Sequence, residues 1–199
     1  GGAVTISPDG TTVAFVAQRS DDERRQLYVR RLNQLQALPF AGTADALAPF
    51  FSPDGQWIGF FAEGKLKKIA ITGGAAVILA DAPSTRGRAW SDDNTIVFSP
   101  HQVAGTRLHR VSSDGGDATT LTTLADGEAI HAWPQVLPGG TAVLYTSASA
   151  PGTYNDANLV LTATNDLPAA VAHIASRAGR RLEYRTVAPG GYALEDHWN

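Results

Sequence analysis

The chain contains no cysteine and no methionine in 199 residues. Without cysteine there is neither a disulfide framework nor a thiolate metal site, and the redox compartment stays open. No apolar run approaches the ~18 residues that a membrane span needs. The net charge of −3 gives no electrostatic reason to bind nucleic acid or an anionic membrane. Arginines do pair up, at Arg24-Arg25, Arg30-Arg31 and Arg180-Arg181. Acidic neighbours (Asp21, Asp22, Glu23, Glu183) offset them, so they read as solvated surface. No signal-peptide pattern opens the chain. Its first residues, Gly1-Gly2-Ala3-Val4, already run into an expected strand from Ala3 to Ile6, which suggests a piece of something longer or a matured product. The 43% hydrophobic and 18% charged content is ordinary for a globular chain and sufficient for a sizeable core.

Against these absences stands a repeat. Ser7-Pro8-Asp9-Gly10 recurs as Ser52-Pro53-Asp54-Gly55, each followed by a short apolar strand (Val13-Ala14-Phe15, Ile58-Gly59-Phe60). Two worn copies follow, Ser91-Asp92-Asp93-Asn94 before Ile96-Val97-Phe98 and Leu137-Pro138-Gly139-Gly140 before Val143-Leu144-Tyr145. The spacings are 45, 39 and 46 residues, counted from Ser7 to Ser52, Ser91 and Leu137. The turn chemistry explains the motif: proline presets φ, Asp tolerates the next position, and glycine accepts the positive φ that closes the reversal.

Repeat two gives strands near Ala48–Phe51, Ile58–Phe61, Leu66–Ile71 and Ala76–Leu79. Repeat one gives Val4–Ile6, Val13–Ala17, Gln26–Arg30 and Ala37–Leu38. Repeat three gives Arg88–Trp90, Ile96–Phe98, Arg107–Val111 and Thr119–Leu121. Repeat four gives Ala132–Val136, Ala142–Thr146 and Asn158–Leu161. Four antiparallel strands in about 40 residues make one β-propeller blade. The expected fold is all-β: a partial or small propeller of about four blades, with boundaries near 1–43, 44–83, 84–125 and 126–161. The recurring aromatics Phe15, Phe60, Phe98 and Tyr145 are expected to pack between blades, as are Phe51, Trp90 and either Trp133 or Val136.

The repeats resemble the WD40-like PD40 repeats of the TolB type. The resemblance is carried by the Ser-Pro-Asp-Gly turns, the apolar second strands, Leu27-Tyr28-Val29 in a third strand and the Gly73-Gly74 turn. It covers roughly residues 1–161 and implies a non-enzymatic module for protein interaction or ligand sensing. It also implies a bacterial periplasmic or otherwise extracytoplasmic setting, since similar arrays form the sensor regions of transmembrane serine/threonine kinases. Family members have more blades than the chain carries.

Residues 162–199 differ in texture. Asn165-Asp166 reads as an N-cap before Leu167-Pro168, and Leu167, Val171, Ile174 and Ala178 recur at helical spacing. A strand is expected over Leu182–Val187, and a turn at Pro189-Gly190-Gly191. This helix–strand tail looks weakly like the modules of secretin- and TonB-associated periplasmic domains, or else covers the open edge of blade four.

No Gly-x-Ser-x-Gly elbow, zinc spacing, calcium loop, Walker loop or dinucleotide fingerprint occurs, so no catalytic residue, metal or cofactor is expected. The binding candidates lie on the loops that lead into first strands or join second to third strands. They are Asp45, Arg86, Arg88, His101, His131, Tyr154 and Asp156. His131, at the start of an inner strand, is expected to face the channel as a titrating contact. The expected partner is a protein or small ligand on that face, and a second copy closing the ring is a further candidate. The enzymatic alternative is the gating propeller of a serine peptidase or hydrolase whose catalytic domain lies elsewhere.

Overall fold

A computed structural model describes residues 4–18, 24–155, 157–163, 183–188 and 191–195. Every element in them is a strand. The first sheet is β1 (Val4–Ile6), β2 (Thr12–Gln18), β3 (Arg25–Arg31) and β4 (Leu38–Pro39), paired in chain order. The second is β5 (Leu47–Phe51), β6 (Trp57–Ala62), β7 (Lys65–Ala70) and β8 (Val77–Asp81). The third is β9 (Arg88–Trp90), β10 (Thr95–Phe98), β11 (His109–Ser112) and β12 (Thr119–Thr120). All three are four-stranded antiparallel meanders, the blade unit expected from the repeat.

The fourth sheet has five strands. β13 (Ile130–Val136), β14 (Ala142–Ala148) and β15 (Asn158–Ala163) are followed in space by β17 (Gly191–Glu195) and then β16 (Glu183–Ala188). The strand expected over Leu182–Val187 is β16. β17 pairs with β15 through Val160↔Ala193 and Leu161↔Tyr192, so the tail strands extend the fourth sheet and satisfy the edge of β15. The helix expected after Asn165 lies outside the described residues.

The Ser-Pro-Asp-Gly turn closes on itself. In the second sheet the Ser52 hydroxyl donates to Asp54 Oδ1 at 2.5 Å and accepts from the Trp57 amide at 2.9 Å. Asp54 Oδ1 also accepts the Gln56 amide at 3.0 Å. Gly55 then turns the chain at φ 70°. Ser7, Asp9, Gly10 and Thr12 repeat the arrangement in the first sheet. The worn copies keep the backbone: Asn94 takes the glycine position at φ 64°, and Gly140 at φ 68°.

The chain divides into two compact units. The first comprises Gly1–Pro83 with Val111–Asp117; the second comprises Ser84–Arg110 with Ala118–Asn199. In the first unit, Ala14, Val16 and Leu27 pack with Ile58, Phe60, Ala62 and Ile69. In the second, Val97 and Leu108 pack with Val143, Tyr145 and Val160. One rule covers both contacts. The face of the second strand that carries Ile58 and Phe60, or Val143 and Tyr145, meets the sheet before it in sequence.

Phe15 departs from the expected inter-blade role. It occupies the register position of Phe60, but Ala14 and Val16, on the opposite face, are the residues in the core cluster. Phe15 is half-buried and stacks on its cross-strand partner Tyr28, with ring centroids 5.6 Å apart. Val4 and Ile6, which share its face through the β1–β2 register, are 69% and 55% exposed. Among the described residues, this apolar face of the first sheet is only partly covered.

Candidate functional site

The candidate residues are distributed over both units. Asp45 lies in the first, in the loop before β5, at φ 58° and with its amide donating to the Arg25 carbonyl at 2.7 Å. Arg86, Arg88, His101, His131 and Tyr154 lie in the second. Asp156 lies outside the described residues.

In the second unit, β13 has a bulge. The register skips Trp133 and Pro134 between Ala132 and Gln135. The same irregularity separates Leu47 from Phe50 around Ala48 and Pro49. Trp133 and Ala48 both sit in the left-handed region, at φ 48° and 47°, each before a proline. The strained backbone thus belongs to the repeat. What is particular to the fourth sheet is the tryptophan side chain placed there.

Three contacts hold Trp133. Its amide donates to the Arg86 carbonyl at 2.6 Å. Gly87, at φ 112°, passes so close that a Cβ there would lie 2.6 Å from the Trp133 Cα. The indole meets the Tyr154 ring edge-on, with centroids 4.5 Å apart, and stays 40% exposed. The Arg86 Nε and the Tyr154 hydroxyl are buried and, among the described residues, have no hydrogen-bond partner. Arg88 is half-buried, and desolvation holds its guanidinium below the ordinary arginine pKa. Backbone contacts therefore join Arg86 to Trp133, and Trp133 joins Tyr154. His101 is exposed nearby in sequence, with its carbonyl accepting from Ser99 Oγ at 3.4 Å.

His131 does not reach the solvent as expected. It is fully buried. Its Nδ1 lies 2.7 Å from the Thr122 hydroxyl and its Nε2 lies 3.0 Å from Glu128 Oε2. Its ring lies against Tyr145, 4.6 Å between centroids. Glu128 also accepts from the Ser147 hydroxyl at 2.6 Å and the Ala125 amide at 2.7 Å. Burial pushes the Glu128 carboxyl up, but the hydrogen bonds from Ala125, Ser147 and His131 outweigh it and hold the carboxyl below its usual range. Desolvation lowers His131, and Glu128 only partly restores it. The chemistry of this cluster is that of a structural clasp. The Ser99 hydroxyl adds to it by donating to the His131 carbonyl at 3.0 Å.

Sequence reasoning took Trp133 for packing alone and gave Glu128, Thr122 and Ser147 no role. The available signal was the alignment of Trp133-Pro134 with Ala48-Pro49, which places an indole where the repeat tolerates an alanine. Among the described residues, no cluster of three metal-ligating side chains occurs and no helix is long and apolar enough to cross a membrane.

No family model matches this chain, and no curated protein sequence does. Solved structures do. A TolB-like protein of Agrobacterium tumefaciens superposes with a TM-score of 0.62 at 19% identity, over 81% of this chain and 60% of that one. Hydrazine synthase of Kuenenia stuttgartiensis gives 0.61 at 12% identity, over 96% and 48%. The tricorn protease gives 0.58 at 13%, over 77% and 17%. At such identities the likeness is one of fold: the chain is an all-β propeller built of four-stranded blades. It spans 60% of the length of the TolB-like protein and less of the other two.

Proposed function

We propose that the chain is a non-enzymatic recognition module that binds a protein or a small ligand through the loops around Arg86, Arg88, Trp133 and Tyr154. One observation carries the reading. Among the described residues, the Arg86 Nε and the Tyr154 hydroxyl are buried without partners, and both residues contact a half-exposed indole residue, Tyr154 by its ring and Arg86 by its carbonyl. Buried polar atoms are ordinarily paired, so unpaired ones beside an aromatic surface suit an incoming partner. The donors suit a carboxylate, and the indole suits an apolar or cationic group next to it.

The resemblance to TolB-type repeats supports placing this module outside the cytoplasm of a bacterium. The open Phe15–Tyr28 face of the first sheet supports a second interaction, with another copy or another blade, that would cover Val4 and Ile6. The alternative reading, a gating propeller of a serine peptidase, is supported by the likeness to the tricorn protease.

Titration of indole fluorescence with a glutamate-rich peptide tests the main reading. Arg86→Ala, Trp133→Ala and Tyr154→Ala should each weaken binding about tenfold or more. Unchanged affinity in all three would remove the site. Hydrolysis of acyl-peptide substrates by the purified chain would remove the non-enzymatic assignment.

A further inference from the structure

A second site, independent of the loops above, lies at the turn end of the blades in the second unit. Here the third copy of the turn motif has decayed. Ser7 and Ser52 each donate their hydroxyl to the aspartate two residues on. The corresponding Ser91 does not: its Oγ is buried and has no hydrogen-bond partner. Asp92 and Asn94 replace the proline and glycine, and the hairpin is one residue shorter. The Ser91 amide bonds the Thr95 carbonyl, one residue nearer than in the intact copies.

The freed hydroxyl borders a cavity of about 100 Å³ lined by Ser91, Asp93, Arg110, Val97, Leu121 and Val136, with Val143 and Gly140 completing its wall. This is room for several waters or one small ligand. Ser91 is 5% exposed and lies in the cavity wall with its Oγ out of solvent reach. Asp93 Oδ1 is used by the Thr95 amide at 3.0 Å, and Oδ2 lies toward Gly140. A Cβ on Gly140 would come within 3.8 Å of Oδ2 and 3.0 Å of the Ser91 Oγ. Gly140 thus packs close against the Ser91 hydroxyl, where a side chain would crowd it, and leaves ordinary contact distance to Asp93. Arg110, on the rim, donates its Nε to Thr119 Oγ1 at 3.4 Å. The rest of the wall is branched aliphatic.

A carboxylate, a guanidinium and an unpaired hydroxyl over an aliphatic floor match one ligand chemistry. We infer that this cavity binds a free α-amino acid with a short aliphatic side chain. Arg110 would take the carboxylate and Asp93 the ammonium. Ser91 would bond the carboxylate, and Val97, Leu121 and Val136 would take the side chain. In the cleft of the first unit lined by Asp9, Gly10, Gly55 and Gln56, Ser7 and Thr11 occupy the Asp9 carboxylate.

Isothermal titration of the whole chain with L-valine and L-alanine tests this, with isobutyric acid and isobutylamine as single-charge controls. Both amino acids should bind, and each control should bind about tenfold more weakly or not at all. Arg110→Gln and Asp93→Asn should each reduce L-valine affinity about tenfold without lowering the melting temperature, because both side chains are exposed. Ser91→Ala should reduce it by a smaller factor. The inference is overturned if L-valine gives no heat at about 10 mM. It is also overturned if isobutyric acid binds as well as L-valine, or if the Arg110 and Asp93 variants bind as the wild type does. None of these outcomes bears on Trp133 or Tyr154, so the two sites fail or stand separately.

Discussion

The Thr122 hydroxyl lies 2.7 Å from Nδ1 of the buried His131 and thereby ties the end of the third sheet to the first strand of the fourth. The same hydroxyl accepts the Leu108 amide at 3.0 Å. Thr43 does the equivalent for Leu27, at 3.1 Å, where the first sheet hands over to the second. A threonine just past the last strand is thus a device of the repeat, and in the second unit it has recruited a histidine.

His131→Ala should therefore be among the more damaging single changes in the second unit. It opens a cavity and removes the ring that both Thr122 and Glu128 bond. A loss of about 2–4 kcal/mol is expected from denaturant unfolding, with Thr122→Val costing about 1–2 kcal/mol.

The same clasp gives stability a pH dependence of known sign. Burial depresses His131, so the unfolded chain takes up a proton on it near pH 6.5 while the folded chain still refuses one. Its contribution is complete above pH 6.5 and is lost as pH falls through the lower folded value. Glu128, also depressed, acts in the same direction below 4.5. His109, lowered by burial, then His101 and Arg107, adds a parallel slope. Melting temperatures taken from about pH 7.5 down to about pH 5 should fall less steeply in His131→Gln than in wild type. Parallel curves would refute the role given to His131.

Gly59→Ala should destabilise the second sheet although glycine's backbone freedom is not required there. A Cβ at Gly59 would project into the ring of Phe50, its partner in the β5–β6 register. Overpacking of this kind costs about 1–3 kcal/mol. Adding Phe50→Leu to Gly59→Ala should recover part of the loss in a double-mutant cycle.

Ser52→Ala and Ser91→Ala separate an intact turn from a decayed one. Ser52 is buried and bonded on both sides, to Asp54 and to the Trp57 amide, so its removal should cost about 1–2 kcal/mol. Ser91 makes no hydrogen bond through its hydroxyl, so its removal should be within about 0.5 kcal/mol of neutral. Thermal unfolding of the two variants side by side reads the difference.

Gly87→Ala tests the support beneath the indole. The residue needs φ 112°, and a side chain would press on the Trp133 backbone. A loss of about 2 kcal/mol or more is expected, together with a shift in Trp133 fluorescence, scored against Trp133→Phe to isolate that indole.

The architecture was legible because its signals are local. A Ser-Pro-Asp-Gly reversal needs only neighbours in sequence, and so does the two-residue alternation of Val13 to Val16. Strands such as Val4–Ile6 and Arg88–Trp90 appear with the expected ends. The worn turns at Asn94 and Gly140 were legible for the same reason. Positive φ is demanded by the hairpin itself, and Asn and Gly are residues that tolerate it. The tail was less legible, because β17 is placed by pairing with Val160 and Leu161, about thirty residues earlier, and not by its own pattern.

Sequence alone determined the blades, since each is held by turns and ladders whose partners lie within one repeat. Only tertiary structure decided which face of each blade is covered and which polar atoms are left over. Phe15 and Phe60 hold the same repeat position, yet one is half-buried on Tyr28 and the other fully buried against a neighbouring sheet. Ser52 and Ser91 begin the same turn, yet one hydroxyl is spent and the other free. Those outcomes depend on what another part of the chain brings within a few ångströms, and contact of that kind is not written in any local pattern.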